Sequence, residues 1–502
     1  MYRILTASSD CYLTNKIINN SFRATDANTG QAGTLDLFKL YDESTLSGSS
    51  TPIELSRILL KFDLNPLRQL TGSILNLNNF KAELKLFDVY GGQTVPTNFT
   101  MSILPLSKSF DEGFGRDIAT FKDLDVSNWL TASEVSGVVP WSTAGAGSVG
   151  PLGSSTADVM DIGDLGAGSV SLESTQAFSS GEENLAVDVT TVVSATLAGI
   201  LPDHGLRLSF TGSQEEDTQT RFVKRFYSRH STSKNKTPRL IVSFDDSIQD
   251  DHENFFFDLT GSIFLNNYAR GVPANIVSGS ALSEVSGQNC MLVTLTSGSF
   301  STTVTASQYT VGGNSIPGVY SASFAIPSNN SLLVTEIRNA ASATFAEVWG
   351  SLDGTVPFLT SSLVIKSITP TAFNRSTRRM TISVTNDKET YQKTEKPRFR
   401  VFAFDYDEAD DFKVFRLPFE QKSVIFRNMH YQIRDFHTKE VVIPFDTTNN
   451  STRMSTDSEG MYFETFLDFF PPGRVYEINV LVRERGIDQI FEDLGAQFRV
   501  EP

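Results

Sequence analysis

The sequence predicts an all-β protein built from several sandwich-like units. Three observations carry this. Apolar and polar residues alternate with period two along many short segments, the spacing of a half-buried strand. Ser and Thr make up about a fifth of the chain, a bias that favours strands and turns over helices. Phe is the main core filler, with 38 copies against 8 Met and 3 Trp, while long amphipathic helices are scarce. At 502 residues, about three domains are expected.

The first unit spans 1–245. Residues 58–64 form a strand that ends in a turn at Asn65-Pro66. In 81–89, Ala82, Leu84 and Leu86 share one face and Lys81, Glu83 and Lys85 the other, with Gly91-Gly92 closing the segment. Residues 206–210 alternate the same way, and 240–244 read as the last strand. Between 123 and 206 there is no Lys or Arg. The centre of that span is rich in Gly, Ser and Ala, so roughly 135–182 are expected to be long loops. Loops of that length usually make contacts or act as mobile linkers. The acidic run 245–253 is expected to be a solvated linker and the first boundary.

Residues 254–365 form a second β-sandwich, with strands at 291–295 and 319–324. Ile368-Thr369-Pro370 marks the next boundary. In 366–502, Met380, Ile382 and Val384 share a face, and Phe399, Val401 and Ala403 lie opposite Arg400, Phe402 and Phe404. Later strands fall at 441–443, 461–466, 476–482 and 498–500. About seven short strands with turns between them suggest an immunoglobulin-like sandwich.

Charge and chemistry exclude several functions. The chain carries 42 Lys and Arg against 58 Asp and Glu, a net charge of −16. A nucleic-acid-coating protein needs a cationic surface, so no nucleic-acid partner is expected, nor an anionic membrane. Cys11 and Cys290 are too few for a disulfide framework and read as buried free thiols. Residues 1–10 hold no long apolar run, so no signal peptide is expected.

Gly145 to Gly150 matches G-x-G-x-x-G, but Pro140-Trp141 before it and Pro151 after it deny it the strand and helix that a nucleotide site needs. His204, His230, His252, His430 and His437 show no metal-ligand spacing and read as solvated loop residues. The run from Asp405 to Asp411 could offer carboxylates to calcium but lacks the glycine and terminal Glu of an EF-hand loop. No nucleophile in a Gly-flanked turn occurs. The chain is therefore expected to have no enzyme activity, no catalytic or metal site and no cofactor. Glu112→Gln or Asp111→Asn is expected to change folding or assembly little. Alternation in 221–229 places Arg221, Val223, Arg225, Tyr227 and Arg229 on one face. That face is either a partner surface or a set of arginines paired with the chain's own carboxylates.

The first unit also resembles the DNRLRE-type β-jelly-roll family, related to carbohydrate-binding modules. The matching stretches, in order, are Asp10-Cys11-Tyr12-Leu13, residues 56–64, 82–86 and 187–193, Gly205-Leu206-Arg207-Leu208, Phe226-Tyr227-Ser228-Arg229, and Pro238-Arg239-Leu240-Ile241-Val242. The family usually has a Trp-Glu pair after its middle strand, where Ser109-Phe110-Asp111-Glu112-Gly113 stands here. The resemblance implies an N-terminal jelly-roll sandwich ahead of the two smaller sandwiches. The style of the whole chain is similar to structural proteins of tailed marine bacteriophages.

The expected function is a non-enzymatic structural component of a tailed-phage virion, in tail, baseplate or neck, made in the host cytoplasm. Its partners would be other virion structural proteins and further copies of itself. The alternative is an adhesin binding a host surface glycan. A surface line of Trp and Tyr would favour the adhesin, and a chain with only Trp129, Trp141 and Trp349 leans against it.

Overall fold

The computed structural model describes residues 1–46, 52–68, 79–89, 98–119, 125–134, 137–166, 168–279, 282–311, 314–367, 379–406, 423–484 and 486–502. The boundary expected at 368–370, the turn at Gly91-Gly92 and the carboxylates Asp407, Glu408, Asp410 and Asp411 lie outside these residues. The protein is all-β. Its helices include Thr190–Leu197 and Val334–Ala340, and among the described residues no helix is long and apolar enough to cross a membrane. Two compact units form, one from within residues 3–243 and the other chiefly from 244–502.

The first unit is the jelly roll. Its strands are β1 (Tyr2–Thr14), β2 (Thr34–Tyr41), β3 (Ile53–Phe62), β4 (Lys81–Leu86), β5 (Phe99–Pro105), β6 (Ser174–Phe178), β7 (Leu185–Asp188), β8 (Leu206–Phe210), β9 (Arg221–Tyr227) and β10 (Arg239–Ser243). They run in the order β6-β5-β8-β3-β1-β10-β4-β7, with β2 joining β3 to β9. Neighbours in space are thus often distant in sequence. Strand β1 is the seam. Its residues 9–14 pair with β3, Cys11 opposite Leu59, after a register shift at Ala7/Ser9. A bulge of this kind bends a strand so that it can serve two sheets.

The segment after β5 corrects the expectation of long loops. It is a packed layer over the outer face of the sheet. Three short strand pairs give it form: Thr131–Glu134 with Val138–Pro140, Val149–Gly150 with Val159–Met160, and Ile162–Asp164 with Ser169–Ser171. Its Trp129, Ala132, Trp141, Ala146 and Val159 share a core with Cys11, Leu13, Leu59 and Leu104 of the sheet. Both faces of β1 between residues 10 and 14 are therefore buried.

Polar clamps hold the layer. Arg57 sends Nε and Nη2 to the Glu215 carboxylate at 3.0 and 2.6 Å and Nη1 to the Gly145 carbonyl at 2.7 Å, and lies over the Trp129 ring. Arg207 Nη1 donates to the Ala146 carbonyl at 2.6 Å. The buried Asp158 carboxylate accepts the amides of Ser142, Thr143 and Ser148, and Lys108 Nζ at 3.1 Å. Burial works against its charge, but these donors win and hold its pKa below the usual range. Gly145 has φ +74, and a Cβ there would meet the Trp129 ring at 2.5 Å, so glycine alone fits.

In the second unit, residues 254–365 form a seven-stranded sheet from β11 (Phe255–Phe256), β12 (Gly261–Asn266), β13 (Met291–Ser297), β14 (Phe300–Val311), β15 (Asn314–Phe324), β16 (Ser342–Gly350) and β17 (Pro357–Lys366), in the order β11-β17-β16-β13-β14-β15-β12. Its core gathers Phe255, Phe257, Tyr320, Phe345 and Trp349. Residues 380–501 form an immunoglobulin-like sandwich of a four-stranded and a six-stranded sheet, over a separate core that includes Phe399, Tyr431, Phe463, Tyr476 and Phe498. A parallel pairing of Thr390–Gln392 with Gln497–Glu501 closes one edge.

The acidic run 245–253 is not a solvated linker, which corrects the second expectation. Asp250 and Asp251 are buried. The amides of Ile248 and Asp250 bond to the hydroxyls of Ser455 and Thr456, and Gln249 donates to the Met454 carbonyl. Asp251 pairs with Arg427 at 2.6 Å. Counter-charges within the unit turned a repulsive run into a set of anchors. Limited proteolysis should therefore leave 245–253 and 141–160 intact until the sheets unfold, because cleavage needs local opening. Early fragments cut at either segment, read by mass spectrometry, would contradict the clamps described here.

Candidate functional site

Among the described residues, the first unit brings together one cluster of groups that can hold a ligand. Asp10 comes from β1, Glu112 from the turn entering the packed layer, and Arg229 and His230 follow β9. Arg229 grips Glu112 with two parallel bonds, Nε to Oε1 and Nη2 to Oε2, both 2.6 Å. The Arg229 amide donates to Asp10 Oδ2 at 2.6 Å, and the Asp10 amide to Glu112 Oε1 at 2.9 Å. His230 Nε2 lies 3.3 Å from the same Oε1.

The main chain around Glu112 is fixed as well. Asn28 Nδ2 donates to the carbonyls of Glu112 and Ser127, and its Oδ1 accepts the amides of Gly30 and Gly115. A Cβ on Gly30 would sit 1.9 Å from the Glu112 carbonyl oxygen, so the close approach requires glycine. Asp10 is 1% exposed. Burial, and after it the Glu112 charge, outweigh Arg229 and push the Asp10 pKa up to about 7. Its Oδ1 has no hydrogen-bond partner. Two of the stretches that carried the family resemblance, those holding Asp10 and Arg229, meet in this cluster. His230 was missed because no sequence spacing links it to Asp10 and Glu112.

Glu112 is therefore a structural anchor, against the expectation that Glu112→Gln changes folding little. Asp111 Oδ2 accepts the Glu134 amide, a smaller role. Of the two readings of the basic strand, the structure bears out the second, arginines paired with the chain's own carboxylates. A bulge between Arg221 and Lys224 breaks the alternation. Arg221 is buried against Asp217, with Nη2 to Oδ2 at 2.6 Å, and Lys224 is buried against Asp88 at 2.6 Å. Arg225 pairs with Asp36 at 3.1 Å and Arg229 with Glu112. These cations serve their own unit, and the open cationic patch does not form.

The glycine run at 145–150 presents the carbonyls of Gly145 and Ala146 to guanidinium groups, where a phosphate cradle would present amides. All three tryptophans are buried. His430 and His252 depart from the solvated default, whereas His437 is exposed in a turn. His430 is buried, and burial, with Arg453 and Arg483 nearby, pulls its pKa down to about 4. His252 bridges Asp250 at 2.7 Å and Glu347 at 3.1 Å. Asp405 is buried at the end of its strand.

No family model matches the chain, and no curated protein matches it. Among solved structures, it is similar to the fibronectin(III)-like modules of CbhA from Clostridium thermocellum, at 10% identity and a TM-score of 0.14, covering 52% of this chain and 93% of that one. It is also similar to human mucin-like protocadherin EC1-2, at 12% identity and a TM-score of 0.12, covering 42% and 83%. Similarities of this size assign no family.

Proposed function

We propose that the chain is a non-enzymatic structural subunit that holds neighbouring proteins through the packed layer of its first unit, within a tailed-phage particle. The observation that carries this is a rigid layer that displays aliphatic side chains. Leu130, Val138, Val149 and Ile162 are 50%, 54%, 50% and 46% exposed. Val138, Val149 and Ile162 stand on short strands and Leu130 on the bend just before one, in a layer locked by Asp158, Arg57 and Arg207, so docking would order little new chain, and pre-organisation of this kind favours affinity.

The charge of the layer supports a partner of basic chemistry. With no Lys or Arg between 123 and 206, and with Glu134, Asp164 and Glu173 exposed on it, it suits a neighbouring subunit whose face is basic around an aliphatic centre. The phage setting rests on the resemblance in sequence style. The burial of all three tryptophans supports this reading over a glycan-binding one, in which aromatic faces would stack on sugar.

Val138→Asp together with Ile162→Asp should leave the melting temperature within about 2 °C of the parent, because exposed substitutions usually change stability by under about 0.5 kcal/mol. The same pair should cut incorporation into particles at least tenfold. Mass-spectrometric inventory of purified particles is the readout. Absence of the chain from particles, or unchanged incorporation of the variant, would overturn the proposal.

A further inference from the structure

We propose that Asp10, Glu112 and His230 form a binding site for a divalent transition-metal ion, with zinc the best fit. One ligand atom from each lies within 4.8 Å of the other two. Around an ion with bonds of about 2.0–2.2 Å, tetrahedral ligand atoms lie about 3.4 Å apart. Closing the site needs movements of about 1 Å, and His230, whose side chain is 29% exposed, is free to make them.

The second observation is the orphan oxygen. Asp10 is 1% exposed, and its Oδ2 takes the Arg229 amide, yet its Oδ1 is buried with nothing to accept from. An unsatisfied buried acceptor is costly and calls for a partner. Asp10 and Glu112 together outnumber the one cation, Arg229, that touches them. A metal ion would supply both the missing partner and the missing positive charge.

The outer partners of a metal site are already in place. Arg229 grips both oxygens of Glu112, and the Asp10 amide fixes Oε1. Contacts of this sort orient metal ligands and are as much a part of such sites as the ligands themselves. The ion would replace the 3.3 Å contact between His230 Nε2 and Glu112 Oε1 and leave the rest intact. One imidazole with two carboxylates favours zinc, cobalt or manganese over calcium or magnesium, which prefer oxygen ligands alone.

The full-length, untagged chain, stripped with a chelator, is titrated with ZnCl₂ by calorimetry and with CoCl₂ by visible absorption. One equivalent per chain is expected, with a cobalt spectrum of low coordination number and a rise in melting temperature. His230→Gln, a half-exposed change that leaves the fold intact, should weaken zinc binding at least tenfold and abolish the rise. Asp10→Asn should do the same wherever its metal-free melting temperature shows a folded chain. Uptake below a fifth of an equivalent, or equal uptake by parent and His230→Gln, would overturn the site. Calcium bound as tightly as zinc would overturn the choice of metal.

Discussion

Arg57→Ala should destabilise the first unit by about 3–5 kcal/mol, the usual cost of removing one partner from a buried ion pair. Both side chains of the Arg57–Glu215 pair are 10% exposed, so solvent screens them little. Without Arg57, the Glu215 carboxylate loses both of its guanidinium bonds, and the Gly145 carbonyl loses its donor. The Trp129 ring loses the cation over its face, and the layer loses the tie between its glycine turn and β3. For a unit of this size the melting temperature should fall on the order of 10 °C. Trp129 and Trp141 lie in this layer, so tryptophan fluorescence during thermal unfolding reports the change. Proteolysis should now reach 141–160 before global unfolding. Removing both charges at once, as Arg57→Met with Glu215→Leu, should recover much of the loss, because an apolar pair leaves no buried charge unpaired. A single variant as stable as the parent would show that the pair does not hold the layer.

The parts legible in the sequence are those whose signal is local. Strand Lys81–Leu86 alternates in sequence and in burial, with Ala82, Leu84 and Leu86 fully enclosed. Phe399, Val401 and Ala403 behave the same way in Arg398–Asp405. The family resemblance ran through Asp10 and Arg229 of the ligand-holding cluster, but nothing local showed that they converge with Glu112 and His230. The illegible parts depend on partners far away along the chain. Arg57 and Glu215 are 158 residues apart, and composition alone made the layer between them look like loop. The basic strand misled because a single bulge moved Arg221 off the face that strict alternation assigned to it. The acidic run misled because Ser455, Thr456 and Arg427, which anchor it, lie outside any window that could be read with it.

His252 is where that anchoring has the largest consequence. Its ring is held between Asp250 and Glu347, and Trp349 Nε1 also donates to the Glu347 carboxylate. Glu347 and Asp250 are 0% and 4% exposed at the side chain. Burial alone would lower the His252 pKa. The two carboxylates overcome it and raise the pKa to about 10, against about 6.5 in the unfolded chain. The folded state therefore holds its proton longer than the unfolded state does. The resulting stability is fully present below about pH 6.5 and is lost as the pH rises through about 10. The second unit should thus unfold at lower temperature at pH 10 than at pH 6.5. His252→Ala should cost about 3–5 kcal/mol at neutral pH, because it leaves Glu347 and Asp250 buried without their cation. The same change should flatten the dependence between pH 6.5 and 10. Fluorescence of the fully buried Trp349, followed against temperature at both pH values, separates these outcomes. If the parent and His252→Ala lose stability equally between the two pH values, the proton is not held by this bridge.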